Sequence, residues 1–441
     1  MRLPFLLAAF CAVSACAPPA QVSKSSPETG IGFGSPGLVL ASAGARPSSL
    51  ARDFMDLTFA LESGREVAVF TRFEGPITVA LAGGVPPTAP RDLGALIGRL
   101  QAEAGLDIRA ASGGQATITV EFAAKSDLRR LAPQAACFVV PNVSSLAEYR
   151  RNRGSDAVDW ALIGSRDRAA IFIPADTSPQ EIRDCLHEEM AQALGPLNDL
   201  YRLSDSVFND DNFHSVLTGF DMDILRAYYS PALRNGMTRD EVAFRLPGIL
   251  GGAAPAREST PSAAWVQTIE TALGRQGSLD ARRAAADRAL EIAIAQGWHD
   301  SRLGFSHFAV GRLSAGSDPA RALDSFGRAA AIYSRLPGGM VHVAHIDMQL
   351  AAMALAGGLS EEAMRLADRA IPVVRRHENA ALLATLLLIK AEAAERLGNP
   401  TAAAALRLDS QPWARYGFGP DSVVRARMRD IAAVADRAAN G

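Results

Sequence analysis

The chain has 441 residues, too many for one ordinary hydrophobic core, so two or three domains are expected. Its 45 Lys and Arg stand against 47 Asp and Glu, a net charge of −2, which excludes a basic nucleic-acid surface and a polyanionic tail alike. Beyond the first residues no apolar run is long enough to span a bilayer.

The chain opens MRLPFLLAAFCAVSACAPPA: one Arg, a short apolar run, then small residues. That is the layout of an export signal over 1–15, not of a transmembrane helix. Val13-Ser14-Ala15-Cys16 resembles the lipobox of bacterial lipoproteins, which makes Cys16 the expected lipidated N-terminus. Ordinary cleavage after Ala17 is the rival, and Pro18 and Pro19 just beyond the cut disfavour it. Ala17 after the lipidated Cys, rather than Asp, fits an outer-membrane anchor facing the periplasm. Residues 16–47, rich in Pro, Ser, Gly and Ala, suit a flexible tether.

From 48 to 246 helical and strand patterns alternate, which predicts an α+β domain. SLARDFMDLTFAL and PRDLGALIGRLQAEAG read as helices. AVFTRF, ITVALAG, ATITVEF, CFVVP, DWALIG and AAIFIPA read as strands of a mixed sheet. Then comes TSPQEIRDCLHEEMAQALG. Ser178 is an N-cap, Pro179 takes the first helical position, Glu181 completes a capping box, and Gly195-Pro196 ends the helix.

The four Cys divide by position. Cys11 leaves with the signal and Cys16 carries lipid. Cys137 and Cys185 remain in an oxidising compartment, where a disulfide is expected and two buried thiols are the alternative.

On a helical wheel Ile182, Cys185, Leu186, Glu189 and Ala193 share one stripe, so Glu189 sits amid apolar neighbours. His187 and Arg183 fall toward the more exposed side. A carboxylate on that stripe must be paired, coordinated or protonated. A zinc hydrolase helix carries H-E-x-x-H. Starting at His187 puts Ala191 in the second ligand position. Starting at Glu188 puts Glu189 at the general base, with Glu188, Gln192 and Asn198 at the ligand positions and Asp199 next to the last. These are oxygen donors, poor for zinc and better for a hard cation. No cofactor is therefore expected; a divalent metal is the alternative. The seven His show no clustering along the chain. A hydrogen-bonded web of Glu189, Gln192, Asn198 and Asp199 is the simplest structural expectation. Residues 204–212, SDSVFNDDN, read as an Asx-rich surface loop rather than a calcium loop, for they lack the ordered Gly and the bidentate Glu.

CLHEEMAQALGPLND, with SDSVFNDDN, FDMDILRAYYSPALRNGM and the upstream CFVV, resembles domain-of-unknown-function family 2927, proteobacterial putative lipoproteins. The resemblance covers about 120–245 and implies a secreted lipoprotein with no assigned activity. A fold-level likeness to metzincin-like peptidases goes with it: mixed sheet, active-site-type helix, Gly195, and a turn at Asn235-Gly236-Met237 in the place of the Met-turn, with Met237 expected under the cleft.

Residues 247–263 read as a linker, and 264–441 as helices throughout. A 41-residue spacing aligns Ala281, Ala322, Ala363 and Ala404. Four positions on stand Ala285, Phe326, Ala367 and Leu408, and eight on Ala289, Ala330 and Ile371. This pattern, with turns at AGSDP, AGGLS and LGNP, resembles degenerate tetratricopeptide-like helical hairpins; an irregular Ala-rich bundle is the alternative. The expected function is binding or scaffolding of a protein or peptide partner in the envelope, through the repeats, beside a catalytically degenerate peptidase-like domain. The alternative is a metal-dependent hydrolase of peptide or cell wall with Glu189 as general base. Membrane attachment would come through the lipid, and no nucleic-acid partner is expected.

Overall fold

A computed structural model describes residues 47–112, 115–251, 263–274 and 276–436. The signal, Cys16 and the tether up to residue 46 lie outside these residues, as does the linker stretch 252–262. The described residues fall into two compact units, 47–251 and 263–436.

The first unit holds α1 (Pro47–Thr58), β1 (Ile77–Gly83), α2 (Ala89–Ala104), β2 (Ile108–Ala110), β3 (Ile118–Ala123), α3 (Lys125–Arg129), β4 (Phe138–Pro141), α4 (Leu146–Asn152), β5 (Ala169–Pro174), α5 (Pro179–Leu194), α6 (Gly219–Tyr228) and α7 (Arg239–Leu250). The strands form one sheet in the order β2-β1-β3-β5-β4. Only β4, at an edge, runs antiparallel to its neighbour. The unit is α+β with a mixed sheet, as the alternating pattern predicts.

The strand sequences explain this order. AAIFIP is apolar throughout because β5 lies between β3 and β4 with all six residues buried. Its side chains alternate between two cores. Ile171 and Ile173 join Leu96 and Leu100 of α2 and Leu186 and Met190 of α5 on the larger face. Ala170 and Phe172 join Leu128 of α3 and Leu146 of α4 on the smaller one. Phe172 also meets the rings of Phe138 and Tyr149, at 5.2 and 5.9 Å. Hence α5 is packed against the sheet and bordered by α2.

Two expected strands are not strands. AVFTRF makes no ladder. Val69 bridges Thr238, and Phe70 pairs with the 236–237 turn, receiving the Gly236 N–H at 3.0 Å and giving its own to the Met237 carbonyl at 2.8 Å. DWALIG follows a short 3₁₀ turn; Ala161 and Ile163 are buried, while Leu162 is exposed. Trp160 donates to the Val139 carbonyl and lies under the Arg166 guanidinium at 4.6 Å.

Cys137, at the start of β4, is bonded to Cys185 on α5, so the expected disulfide is present. Its sequence separation of 48 makes it worth about 4 kcal/mol by loop-closure entropy. It fixes α5 to the sheet edge one turn before Glu188 and Glu189.

The second unit is all helix: α8 (Ala263–Leu273), α9 (Leu279–Ala295), α10 (Ser301–Ser314), α11 (Pro319–Tyr333), α12 (Met340–Ala356), α13 (Ser360–Arg376), α14 (Ala380–Arg396), α15 (Pro400–Phe418) and α16 (Asp421–Asp436). The first eight pack as successive antiparallel hairpins, and α16 lies against α14, α12 and α15. Asp318 and Asn399 cap α11 and α15, each followed by Pro at the first turn. The 41-residue register holds in the two inner hairpins. Ala322 and Phe326 on α11 and Ala363 and Ala367 on α13 are buried. It slips in the outer two. On α9 Ala289 keeps the register and is buried, but Ala281 is exposed and Ala285 gives its place to Ala286. On α15 Ala403 is buried, while Ala404 and Leu408 are exposed. The last hairpin meets the single helix α16 instead of a further hairpin, so its stripe need not follow the repeat.

Candidate functional site

The N-terminus of α5 is built as the sequence predicts, with one change. The Ser178 hydroxyl accepts the Glu181 N–H at 3.2 Å. Glu181 does not complete the box. Its carboxylate takes the Thr177 hydroxyl and lies 3.4 Å from Lys125 Nζ. At the other end Gly195 is demanded by packing. A Cβ there would come within 2.7 Å of the Tyr228 ring. That ring is wedged between Phe54 and Phe70, at 4.7 and 5.0 Å, and its hydroxyl donates to Thr58 Oγ1 at 2.7 Å.

Arg166, which the sequence reading does not single out, closes the α5 C-terminus. Its Nη1 donates to the Gln192 and Ala193 carbonyls at 2.7 and 2.8 Å, and Nη2 to Gly195 O at 2.5 Å. These carbonyls carry the negative end of the helix dipole, so a buried cation is tolerated there without a carboxylate partner. Burial pulls its pKa down to about 10.

The wheel misplaces His187 and Arg183. Both are buried, 4% exposed, because α2 and the segment before α6 cover the flank of α5 that the wheel leaves open. His187 Nδ1 accepts the Leu217 N–H at 3.1 Å. Burial first, then Arg99 and Arg183, hold this imidazole neutral well below its usual pKa. His214 contacts the Ser204 carbonyl at 3.0 Å. Neither imidazole has an electrostatic part in the Glu189 site.

Around Glu189 the structure gathers acids. Glu189 is 4% exposed. Burial first, then Glu188 and Glu62, push its pKa well above the usual carboxylate range. The same causes, with Asp210 and Asp184, raise Glu188 to about 8. Asp199 is pushed well up by burial, Glu188, Asp210, Glu62 and Glu189. Glu62 comes from an exposed loop, with its carboxyl turned inward to hydrogen-bond Asp199 and to meet Gln192 Nε2 at 3.5 Å. Burial raises its pKa too.

The structure thus brings Glu188, Glu189, Gln192 and Asp199 together and adds Glu62, Asp184 and Asp210, which the sequence does not mark. Asn198 is turned elsewhere, its Nδ2 donating to the Asp56 carbonyl at 3.0 Å. Met237 is buried in the same apolar core as Met190. The expected hydrogen-bonded web does not form. Glu189 Oε2 and Asp199 Oδ1 are buried without a hydrogen-bond partner. Among the described residues no three His, Cys, Asp or Glu side chains converge closely enough to hold a metal ion.

Nor is 204–212 a surface loop. Ser204, Ser206, Val207, Phe208 and Asn209 are buried, and only Asp210 and Asn212 stand well out. Ser206 donates to Asp221 Oδ1 at 2.5 Å, and Asn209 Oδ1 accepts the Asp211 N–H in an Asx turn. The loop is folded inward to lie beside the acids of α5.

No curated protein and no solved structure matches the chain. The likeness to metzincin-like peptidases therefore gains no support from any comparison. Residues 47–248, the first unit nearly whole, match the family model described as protein of unknown function (DUF2927).

Proposed function

We propose that the protein is a lipid-anchored envelope protein that binds a partner and does not hydrolyse it at α5. The observation that carries this reading is the company Glu189 keeps. A zinc hydrolase needs imidazoles and an open coordination position beside its general base. Here the base position faces carboxyls, His187 is spent on a backbone N–H, and His214 points to a carbonyl. The stacked, tetratricopeptide-like hairpins of the second unit supply the kind of extended surface on which partners dock.

The anchor rests on Val13-Ser14-Ala15-Cys16. No described helix is long and apolar enough to cross a membrane. Attachment through lipid at Cys16 predicts that labelled palmitate enters the wild-type chain and not Cys16→Ser, and that the variant leaves the membrane fraction. The catalytic half of the reading is tested on purified full chain by elemental analysis and by assays on peptide and cell-wall substrates. No stoichiometric zinc and no turnover are expected. A divalent ion bound one to one, lost together with hydrolysis in Glu189→Ala/Gln192→Ala, would replace this reading with the hydrolase.

A further inference from the structure

We propose that the acidic cluster beside α5 takes an alkylammonium group, carried on a lysine-type side chain of a peptide or on a free diamine. This rests on the binding reading above and names the ligand class.

The first observation is charge balance. The charged groups that act on Glu188, Glu189 and Asp199 are carboxylates in every instance: Glu62 from the 61–66 loop, Asp184 and each other from α5, and Asp210 from the loop after it. Arg183 pairs with Asp184 at 3.3 Å, and Arg166 is committed to the carbonyls of 192, 193 and 195. Among the described residues no Lys, Arg or His acts on Glu188, Glu189 or Asp199.

The second observation is independent of charge. Glu189 is 96% buried, and its Oε2 has no donor; Asp199 Oδ1 has none either. A buried oxygen left without a donor costs about 1–3 kcal/mol, so the cluster is short of N–H or O–H groups. An ammonium is a compact charge with three donors and no acceptor, which is what the site lacks.

Spacing separates this ligand from a bare ion. Calcium or magnesium draws oxygens to about 2.0–2.6 Å from one centre. The acids here do not converge to that extent. An ammonium nitrogen reaches carboxylate oxygens at about 2.7–2.9 Å along separate directions, so it bridges more widely spaced acids. Entry is from the side where Glu188 and Asp199 are partly exposed and the Glu62 loop lies in solvent. Burial and mutual repulsion keep the empty acids protonated. Binding of the cation favours their ionised form, and the protons leave to buffer.

The test is calorimetric titration of purified full chain with 1,5-diaminopentane and with an N-acetyl-lysine amide, at pH 8.5 and 5.5. Each pH is run in two buffers of different ionisation enthalpy. At pH 8.5 one of these probes binds, with proton release close to one per ammonium, and its affinity falls at least tenfold at pH 5.5. Glu189→Gln and Asp199→Asn each weaken it at least tenfold while both variants remain folded by circular dichroism; if one fails to fold, the other decides. Preference for the lysine amide identifies a peptide source, and preference for the diamine a free amine. The proposal is overturned if neither probe binds the folded wild type, if binding ignores both substitutions, or if calcium binds one to one and excludes the amine. Silent titrations without metal or turnover sink this inference alone, whereas stoichiometric zinc with hydrolysis sinks the binding reading beneath it.

Discussion

In the first unit acids predominate among the buried titratable groups, with the imidazole of His187 beside them; in the second, three imidazoles gather. Glu188, Asp184, Asp205 and Asp221 have pKa values raised by burial to about 8, 7, 7 and 6. In the second unit His345 and His377 are lowered, again by burial first, to about 3 and 4. They interact with His342, which is fully buried and stacked on Tyr333 at 4.1 Å. Three of the seven His thus gather between α12 and α13, contrary to the reading of the sequence. The units also treat charge differently. Asp347 on α12, 1% exposed, is gripped by both arms of Arg369 from α13. The central acids of α5 receive no such partner. Hairpin stacking satisfies ions between neighbours, whereas the first unit holds unsatisfied acids in one place, and that is where a ligand has something to offer.

The largest way to separate the units is the disulfide. Cys137→Ser/Cys185→Ser should cost the first unit about 4 kcal/mol, or about 10 °C of melting temperature. The second transition in calorimetry of the full chain should stay in place. A single transition that shifts as a whole would mean the units do not melt apart.

Next comes pH, with opposite signs. The acids hold more protons folded than unfolded, so their contribution is complete below about pH 4 and is lost as pH rises through 6 to 8. The imidazoles hold fewer protons folded, so theirs is complete above about pH 6.5 and is lost as pH falls toward 4 and 3. The first-unit melting temperature should fall by about 5 °C between pH 5 and 8.5, and the second by a similar amount between pH 7 and 4. Parallel shifts of both transitions would break the comparison.

Two glycines give the finer contrast. Gly195→Ala drives a methyl into the Tyr228 ring and should cost about 2 kcal/mol. Gly311→Ala meets the Phe326 ring at 2.9 Å, but α10 gains helix propensity from Ala, leaving a net loss of about 1 kcal/mol. Thermal unfolding of the two variants checks the order. Smallest is Glu189→Gln without ligand, which should flatten the first unit's loss above pH 7 by about 1 kcal/mol, read from urea midpoints at pH 6 and 8.5.

What could be read beforehand follows from how local each cause is. ITVALAG and AAIFIPA declare themselves because a buried parallel strand needs a continuous apolar run. Ser178-Pro179 declares a helix start because capping is settled within one turn. AVFTRF has strand periodicity, yet its hydrogen bonds go to a turn some 165 residues away, and nothing in six residues shows that. Glu189 was found from its apolar neighbours. Glu62 had no such signal: it sits beside Ser63 and Gly64 like any solvated loop residue, and only the fold turns its carboxyl onto Asp199. Arg166, in Ser165-Arg166-Asp167-Arg168, looks like surface and is sealed inside.

Arg166 has one more effect, on how α5 ends. Left open, the carbonyl end of α5 would add its own negative potential to a helix that already carries several acids on its flank. The guanidinium cancels the backbone's share and leaves that of the side chains intact. A permanent cation at the carbonyl end gives three buried backbone acceptors their donors, so α5 can stop inside the protein rather than at its surface.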